Sequence, residues 1–364
     1  MKFIISGGGT GGHIYPAIAI ANELKNIDKD AEILFVGALG KMEMEKVPKA
    51  GYKIIGLNIV GIERKLSIKN LLFPFKLLQS IWKAKAILKD FKPDAVIGVG
   101  GYASAPLLYA ANSMNFPTLI QEQNSFAGMA NKWLSKKAKK ICVAYQNMDK
   151  FFPKEKILLT GNPVRQDILH ISEEKKQQAL KLFGLNPTKT TILVIGGSLG
   201  ARSINETISD NLQFFIDNDW QLIWQTGKNT YQINANEKQL LKNPLFHQTE
   251  FIYQMDLAYS LADVIVSRAG ALAVSEICLV KKPTIFVPFP FAAEDHQTQN
   301  ALALVNQNAA EMVKDNETKD FLMKKLLYLV QNKDICNLYQ KNLALLAKPN
   351  ASNEIAQEVI KLVK

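Results

Sequence analysis

Residues 7–13 read Gly-Gly-Gly-Thr-Gly-Gly-His, between the apolar run Phe3-Ile4-Ile5 and a helical pattern over residues 14–24. A strand that ends in glycine and turns straight into a helix leaves backbone N–H groups pointing outward, and the helix dipole adds partial positive charge there. Such a turn is an anion site. His13 closes it with a titratable imidazole that can act as a base beside a bound anion. A second turn of the same plan, Gly196-Gly197-Ser198-Leu199-Gly200-Ala201, follows the apolar run 192–195. Ser198 adds a hydroxyl suited to a diphosphate. A third junction, residues 263–270, leads into a helical stretch over 271–278. Glu276 on that stretch can accept both hydrogen bonds of a ribose diol; its plain alternative is a solvated surface carboxylate. The segment Glu294-Asp295-His296-Gln297-Thr298-Gln299-Asn300 is dense in side chains that grip sugar hydroxyls, and equally suits a helix N-terminus with its usual acids.

Several other chemistries lack the residues they need. Gly7, Gly9 and Gly12 satisfy G-x-G-x-x-G, but a dinucleotide site also needs a carboxylate at the end of the second strand. That strand ends Phe35-Val36-Gly37-Ala38, and the nearest acid, Glu32, is at its start. No G-x-x-x-x-G-K-[ST] run supports a P-loop. Two D-x-D triplets, at 28–30 and 217–219, fall in turns between a helix and the next strand, away from the ligand side of a parallel sheet, and read as turn chemistry. No His/Cys/carboxylate cluster is apparent, so no dedicated metal site and no cofactor is expected; Mg²⁺ carried loosely on a diphosphate stays open.

The elements that must position these residues alternate along the whole chain. Strand patterns at 2–5, 32–36, 53–57, 95–99, 118–121, 140–144 and 157–160 alternate with amphipathic stretches, and the pattern restarts after Leu185-Asn186-Pro187 with 191–195, 221–225, 250–252, 263–266 and 284–287. That alternation predicts two doubly wound parallel sheets of the Rossmann type, an α/β chain of two domains. The expected division is residues 1–163 with a returning C-terminal helix in 348–364, and residues 164–347, with the joint near Gly161-Asn162-Pro163-Val164-Arg165.

At 364 residues two domains are the prior, and 48% hydrophobic with 21% charged residues is a globular composition. The apolar stretch before Gly7 is too short for a signal-peptide core, and no run of about 18 apolar residues spans a bilayer. Cys142, Cys278 and Cys336 are far apart and read as thiols of a reducing cytoplasm. A net charge of +11 asks for an anionic partner. From Arg64 to Lys92 there are eight Lys/Arg and one acid, Asp90. Leu71, Phe75, Leu78 and Trp82 form one helical stripe among lysines that include Lys76 and Lys83. Leu77, Ile81, Ala84 and Leu88 form a second, turned by roughly 125°. One stripe docks a helix on a sheet; a second with aromatics and lysines suits an anionic membrane surface, against the alternative of one broad buried face with a solvated rim. Five lysines between 132 and 140 extend the charge. Nucleic acid is not expected, because no helix-turn-helix, RNP-like or zinc pattern accompanies the charge.

Taken together and in order, Gly7–His13 with Pro16, Gly98-Val99-Gly100-Gly101-Tyr102, Gln121-Glu122-Gln123-Asn124, the 161–165 run, the 196–201 turn, 268–276 and 295–300 resemble the MurG family, the N-acetylglucosaminyltransferases of peptidoglycan synthesis. The resemblance covers essentially the whole chain. It implies the GT-B architecture, two Rossmann-like domains facing across a cleft. It also implies transfer of N-acetylglucosamine from UDP-GlcNAc, with inversion, to the muramoyl 4-hydroxyl of lipid I to give lipid II. The implied setting is the cytoplasmic face of the bacterial inner membrane, held peripherally. Carried over by position, Ile252 meets uracil through its backbone and Glu276 the ribose diol. Ser198 and Arg165 contact the diphosphate, Gln297 and Asn124 the sugar hydroxyls, and Ala271 and Leu272 the donor. The Gly7–Gly12 turn (Gly7, Gly8 and Gly9 above all), with Gly100, Gly101 and Tyr102, cradles the acceptor's pyrophosphate, while Thr10, Gly11 and Gly12 also touch the donor. His13 is the expected base. Two departures stand out: Ala273 where the family often has Thr, and Gln121-Glu122-Gln123 where it often has His–Glu–Gln. The expected rival from another enzyme class is a UDP-GlcNAc 2-epimerase; a non-catalytic rival is a membrane-docked UDP-sugar binding subunit.

Overall fold

The run Phe3-Ile4-Ile5 does not alternate polar with apolar because both faces of its strand are covered, as parallel sheets require. The computed structural model describes residues 1–61, 73–169, 171–228 and 235–363. They divide into a unit of residues 1–165 with 350–364 and a unit of residues 166–349. The boundaries read from the sequence fall two residues earlier at each join (163 against 165, 347 against 349).

In the first unit the strands are β1 (Lys2–Gly7), β2 (Glu32–Ala38), β3 (Lys53–Leu57), β4 (Ala95–Gly100), β5 (Thr118–Glu122), β6 (Lys140–Val143) and β7 (Ile157–Leu159). They form one sheet in the order β3-β2-β1-β4-β5-β6-β7, with parallel pairing throughout. Successive side chains of β1 feed opposite faces. Phe3 and Ile5 pack with Ile14, Ile20 and Leu24 of the helix Gly11–Ile27, and with Ile355 and Val359 of the C-terminal helix Ala351–Lys361. Ile4 packs on the other face with Val36, Val96, Leu88 and Leu107. Cys142 lies in the middle of this core, and burial pushes its thiol up to about 12. It stays a protonated, apolar filler with no nucleophilic role.

The second unit repeats the plan. Its strands are β8 (Thr191–Ile195), β9 (Gln221–Gln225), β10 (Phe246–Thr249), β11 (Val264–Ser267), β12 (Thr284–Phe286) and β13 (Glu311–Met312), in the order β10-β9-β8-β11-β12-β13. In each sheet the strand order reverses beside the first strand, between β1 and β4 and between β8 and β11. Doubly wound sheets bind ligands in the crevice outside the carboxyl ends of the strands at that switch point. Both glycine turns leave the sheets there.

One expectation of strand position is corrected, and one strand was not anticipated. Residues 250–252 follow β10 instead of forming a strand. The strand is Phe246–Thr249, half-exposed at the sheet edge, so its sequence Phe-His-Gln-Thr lacks the apolar run that marks buried strands. The two-residue β13 was too short to announce itself. The first D-x-D triplet is the turn before β2, and the second runs from the last residue of the helix Leu212–Asp217 into the turn before β9: Asp28 receives the N-terminal amine and the Asp30 N–H, and Asp219 pairs with Lys189.

The C-terminal helix is therefore part of the first core. Ile355→Ala removes a fully buried side chain and is expected to lower the unfolding free energy of the first unit by about 2–5 kcal/mol, measured by urea denaturation; a loss below about 0.5 kcal/mol would contradict this packing.

Candidate active site

β1 and β4 part company at their carboxyl ends, where the pairing register slips between Ser6 and Gly7. Gly8 N–H donates to the Gly100 carbonyl at 3.2 Å and fastens the two turns together. Gly100 and Gly101 have φ of +102° and +91°, the left-handed region that glycine reaches without cost. A Cβ on Gly101 would stand 2.3 Å from the Gly8 carbonyl oxygen, and one on Gly100 would stand 2.6 Å from His13 Cδ2 and 2.8 Å from Nε2. Glycine is thus what lets the imidazole lie against the β4 turn.

His13 is the third residue of the helix Gly11–Ile27. Its Nδ1 lies 3.1 Å from the Gly8 carbonyl and 3.4 Å from Thr10 Oγ1. A carbonyl can only accept, so the closer contact requires Nδ1 to carry the proton. In the neutral ring Nε2 then holds the lone pair, which is the form a proton acceptor needs. Tyr102, about half exposed, covers the turn; its ring is the nearest group to a Cβ built on Gly9, and it fills the space beside Gly61.

The amides expected to cradle an anion are not all available. Gly8 N–H goes to Gly100, and Gly9 N–H donates at 2.8 Å to Oε2 of Glu43. Gly7 is still in β1 and buried. The expectation for Gly7–Gly9 is corrected accordingly: the protein satisfies the amides of Gly8 and Gly9 itself. Thr10, Gly11 and Gly12, at the start of the helix, have no carbonyl one turn back and keep the outward amides. Asn124 lies on a loop organised by a buried carboxylate: Glu122 accepts from the N–H groups of Asn124 and Gly128 and from Asn131 Nδ2. Gln121, where the resembled family often has His, is wholly buried and donates to Asn162 Oδ1 at 2.9 Å. Arg165 is exposed at the end of the first unit.

In the second unit Gly197 and Gly200 have φ of +84° and +82° and carry the exposed Ser198 to the start of the helix Arg202–Asp210. Gln225, buried at the end of β9, ties this turn to the next one. Its Nε2 donates to the Gly197 carbonyl at 3.0 Å and its Oε1 accepts the Ile252 N–H at 2.9 Å. Ile252 can therefore offer a base only its carbonyl. Glu276, on the helix Ala271–Val280 that Ala271 and Leu272 open, is 7% exposed and accepts from the Tyr259 hydroxyl at 3.1 Å. The surface-carboxylate alternative fails on that burial. Gln297, in the first turn of the helix His296–Val305, accepts the Phe289 N–H through Oε1. Arg268 holds the preceding loop by donating to the Val287 and Pro288 carbonyls and pairing with Asp315. Among the described residues no group of three or more His, Cys, Asp or Glu is placed to hold a metal ion.

The basic helix Phe73–Phe91 separates its two stripes. Leu77, Ile81, Ala84 and Leu88 pack into the core, whereas Phe75 is 72%, Leu78 56% and Trp82 77% exposed. The single broad buried face is thereby excluded for this helix. Lys76 is half-buried, and Lys83 donates to the Gly56 carbonyl. Leu71 lies outside the described residues. Exposed Tyr109 and Trp133, which the sequence reading passed over, stack at 5.3 Å. That reading also missed Glu43, Gln225 and Tyr259. Glu43 stands five residues beyond the end of β2, past the strand end where an acid was sought; nothing local marks the other two.

Gly100→Ala is expected to force the His13 ring aside and destabilise the first unit by about 1–3 kcal/mol, read by urea denaturation; wild-type stability would show the turn to be looser than its geometry.

Comparison with known proteins bears on the two units and their family. The model of the glycosyltransferase family 28 N-terminal domain matches residues 3–143 and that of the C-terminal domain residues 191–359. The UDP-N-acetylglucosamine--N-acetylmuramyl-(pentapeptide) pyrophosphoryl-undecaprenol N-acetylglucosamine transferase of Cytophaga hutchinsonii is 54% identical over 100% of this chain and 97% of its own. The crystal structure of Acinetobacter baumannii MurG superposes with a TM-score of 0.77 at 30% identity, covering 99% of each chain. A UDP-GlcNAc 2-epimerase from Neisseria meningitidis, bound to UDP-GlcNAc, shares the fold alone, with a TM-score of 0.67 at 17% identity, over 99% of this chain and 100% of its own. With two all-parallel α/β units, both family models matched in register and relatives above 50% identity over its full length, the chain belongs to glycosyltransferase family 28 and has the GT-B fold.

Proposed function

We propose that this chain transfers N-acetylglucosamine from UDP-GlcNAc, with inversion, to the 4-hydroxyl of the N-acetylmuramoyl sugar of lipid I, the pyrophosphoryl-undecaprenol-linked pentapeptide acceptor, yielding lipid II and UDP. The observation that carries the reading is the His13 ring, whose Nδ1 contact with the Gly8 carbonyl leaves Nε2 as the proton acceptor beside the anion-type turn of the first unit. Names of relatives above 50% identity support the donor and the acceptor.

In this reading the acceptor's pyrophosphate meets the amides of Thr10, Gly11 and Gly12 at the helix N-terminus, with Gly100, Gly101 and Tyr102 alongside. His13 Nε2 takes the proton of the 4-hydroxyl as its oxygen attacks the anomeric carbon. The bond from that carbon to the diphosphate oxygen breaks, and UDP leaves with the bonding pair. The second unit binds the donor. The Ile252 carbonyl accepts from uracil N3–H, Glu276 accepts from the ribose diol, and Ser198 with the turn amides receives the diphosphate. Gln297 and Asn124 meet the sugar hydroxyls, and Arg165 adds positive charge for the leaving group. These groups stabilise the leaving diphosphate without a resident metal, with Mg²⁺ only as a companion of the diphosphate.

An acceptor buried in a bilayer requires the enzyme to sit on it. Among the described residues no helix is long and apolar enough to cross a membrane. The exposed Phe75, Leu78 and Trp82, with Lys76 and Lys83 on the same helix, give a surface that can bury aromatics at an anionic interface and hold them with charge. We assign this face to peripheral docking on the cytoplasmic leaflet. Vesicles of phosphatidylglycerol should retain the wild type, and Phe75→Glu with Trp82→Glu should release it while UDP binding is kept; retention of the double variant would refute the assignment.

The decisive assay follows UDP. Release of UDP from UDP-GlcNAc that requires a lipid I analogue, and that falls by at least about a hundredfold in His13→Ala, supports the transferase. Conversion to UDP-ManNAc without acceptor would mean an epimerase, and binding without turnover a UDP-sugar binding subunit.

A further inference from the structure

The peptide group between Gly8 and Gly9 is gripped at both ends. Its carbonyl lies 3.1 Å from His13 Nδ1, and its N–H donates at 2.8 Å to Glu43 Oε2. The other carboxylate oxygen, Oε1, accepts the Ala38 N–H at 3.0 Å. Glu43 is 1% exposed, and among the described residues its polar partners are these two amides. Two glycines make room for it: a Cβ on Gly8 would stand 2.2 Å from Glu43 Oε1, and one on Gly37 2.6 Å from Glu43 Cγ. Burying a carboxylate without a cation is costly. Each oxygen takes one backbone N–H, a pattern that a primary amide, with one oxygen and one NH2 group, does not reproduce. The charge sits in line with the catalytic ring, one peptide away.

We propose that Glu43 is a positioning residue for His13 that acts through the Gly8–Gly9 peptide. Hydrogen bonds in a chain polarise one another, so a carboxylate on the N–H makes the Gly8 carbonyl a stronger acceptor for Nδ1–H. That bond fixes the tautomer and keeps the lone pair on Nε2. It also steadies the imidazolium after the acceptor hydroxyl has passed its proton to Nε2. Throughout, Nδ1 keeps its proton and Glu43 gains none. The arrangement resembles the carboxylate–histidine pair of serine hydrolases, with a peptide inserted between the two side chains. The proposal rests on the reading of His13 as the base.

The test combines spectroscopy with kinetics on the full chain. With ¹⁵N-histidine labelling and assignment by His13→Gln, the four histidines report their tautomers without any substrate. Wild-type His13 should be in the Nδ1–H form near neutral pH, and Glu43→Gln should show a mixture of the two. With UDP-GlcNAc and a lipid I analogue, Glu43→Gln should lower kcat by roughly 10–100-fold with the donor KM close to wild type and some loss of Tm, because Gln accepts from only one of the two amides, and Glu43→Asp should recover part of the loss in kcat. An unchanged His13 tautomer in Glu43→Gln would overturn the proposal. So would a wild-type kcat in Glu43→Gln beside an inactive His13→Ala. Full turnover in His13→Ala would instead overturn the base assignment and the proposal with it, recognisable because the tautomer shift in Glu43→Gln would persist.

Discussion

The hydrogen bond from Gly8 N–H to the Gly100 carbonyl is the constraint on which the first unit's site depends. It joins two turns at the point where strand order reverses and the strands would otherwise splay apart. Everything at the site is measured from that junction. The glycines at 100 and 101 are there because a Cβ has no room against the His13 ring at the first and against the Gly8 carbonyl at the second. The imidazole takes its direction from Gly8 and its seat from Gly100, so one backbone contact sets both coordinates of the proposed base.

Three buried carboxylates recur at the candidate sites, and the partners of two of them, Glu122 and Glu43, are amides instead of cations. Glu122 gathers the 123–131 loop, Glu43 holds the glycine turn, and Glu276 is steadied by Tyr259. Hydrogen bonds to a charged group contribute about 1.5–3 kcal/mol each, enough for a few well-aimed donors to offset much of a desolvation cost of several kcal/mol. Donors fixed in the backbone need no side-chain ordering. The net charge of +11 is thus a property of the surface, while the sites are organised by negative charge inside.

Folding a helix onto a sheet uses one apolar stripe, and Leu77, Ile81, Ala84 and Leu88 supply it for Phe73–Phe91. Keeping Phe75, Leu78 and Trp82 in water as well costs solubility and gives the fold nothing. A surface of this kind reads as a binding face.

By itself, the sequence determined the class and order of the elements, the two glycine turns, His13 and Glu276, because those signals are local. Buried parallel strands are unbroken apolar runs, and a phosphate-type turn needs its glycines in one short segment. It also carried the family motifs, whose spacing survives as a string. Only the tertiary structure decided which amides face outward, which ring nitrogen of His13 faces the Gly8 carbonyl, and which stripe of Phe73–Phe91 is covered. Those outcomes depend on partners far apart in the chain: Glu43 on Gly9, Gly100 on Gly8, Gln225 on Ile252. Residues 250–252 show the same limit, since an edge strand need not be apolar and its neighbour settles where it ends. A hydrogen bond of about 3 Å between residues 27 to 92 positions apart leaves no mark in local composition; it exists only once the sheet has brought the two backbones together.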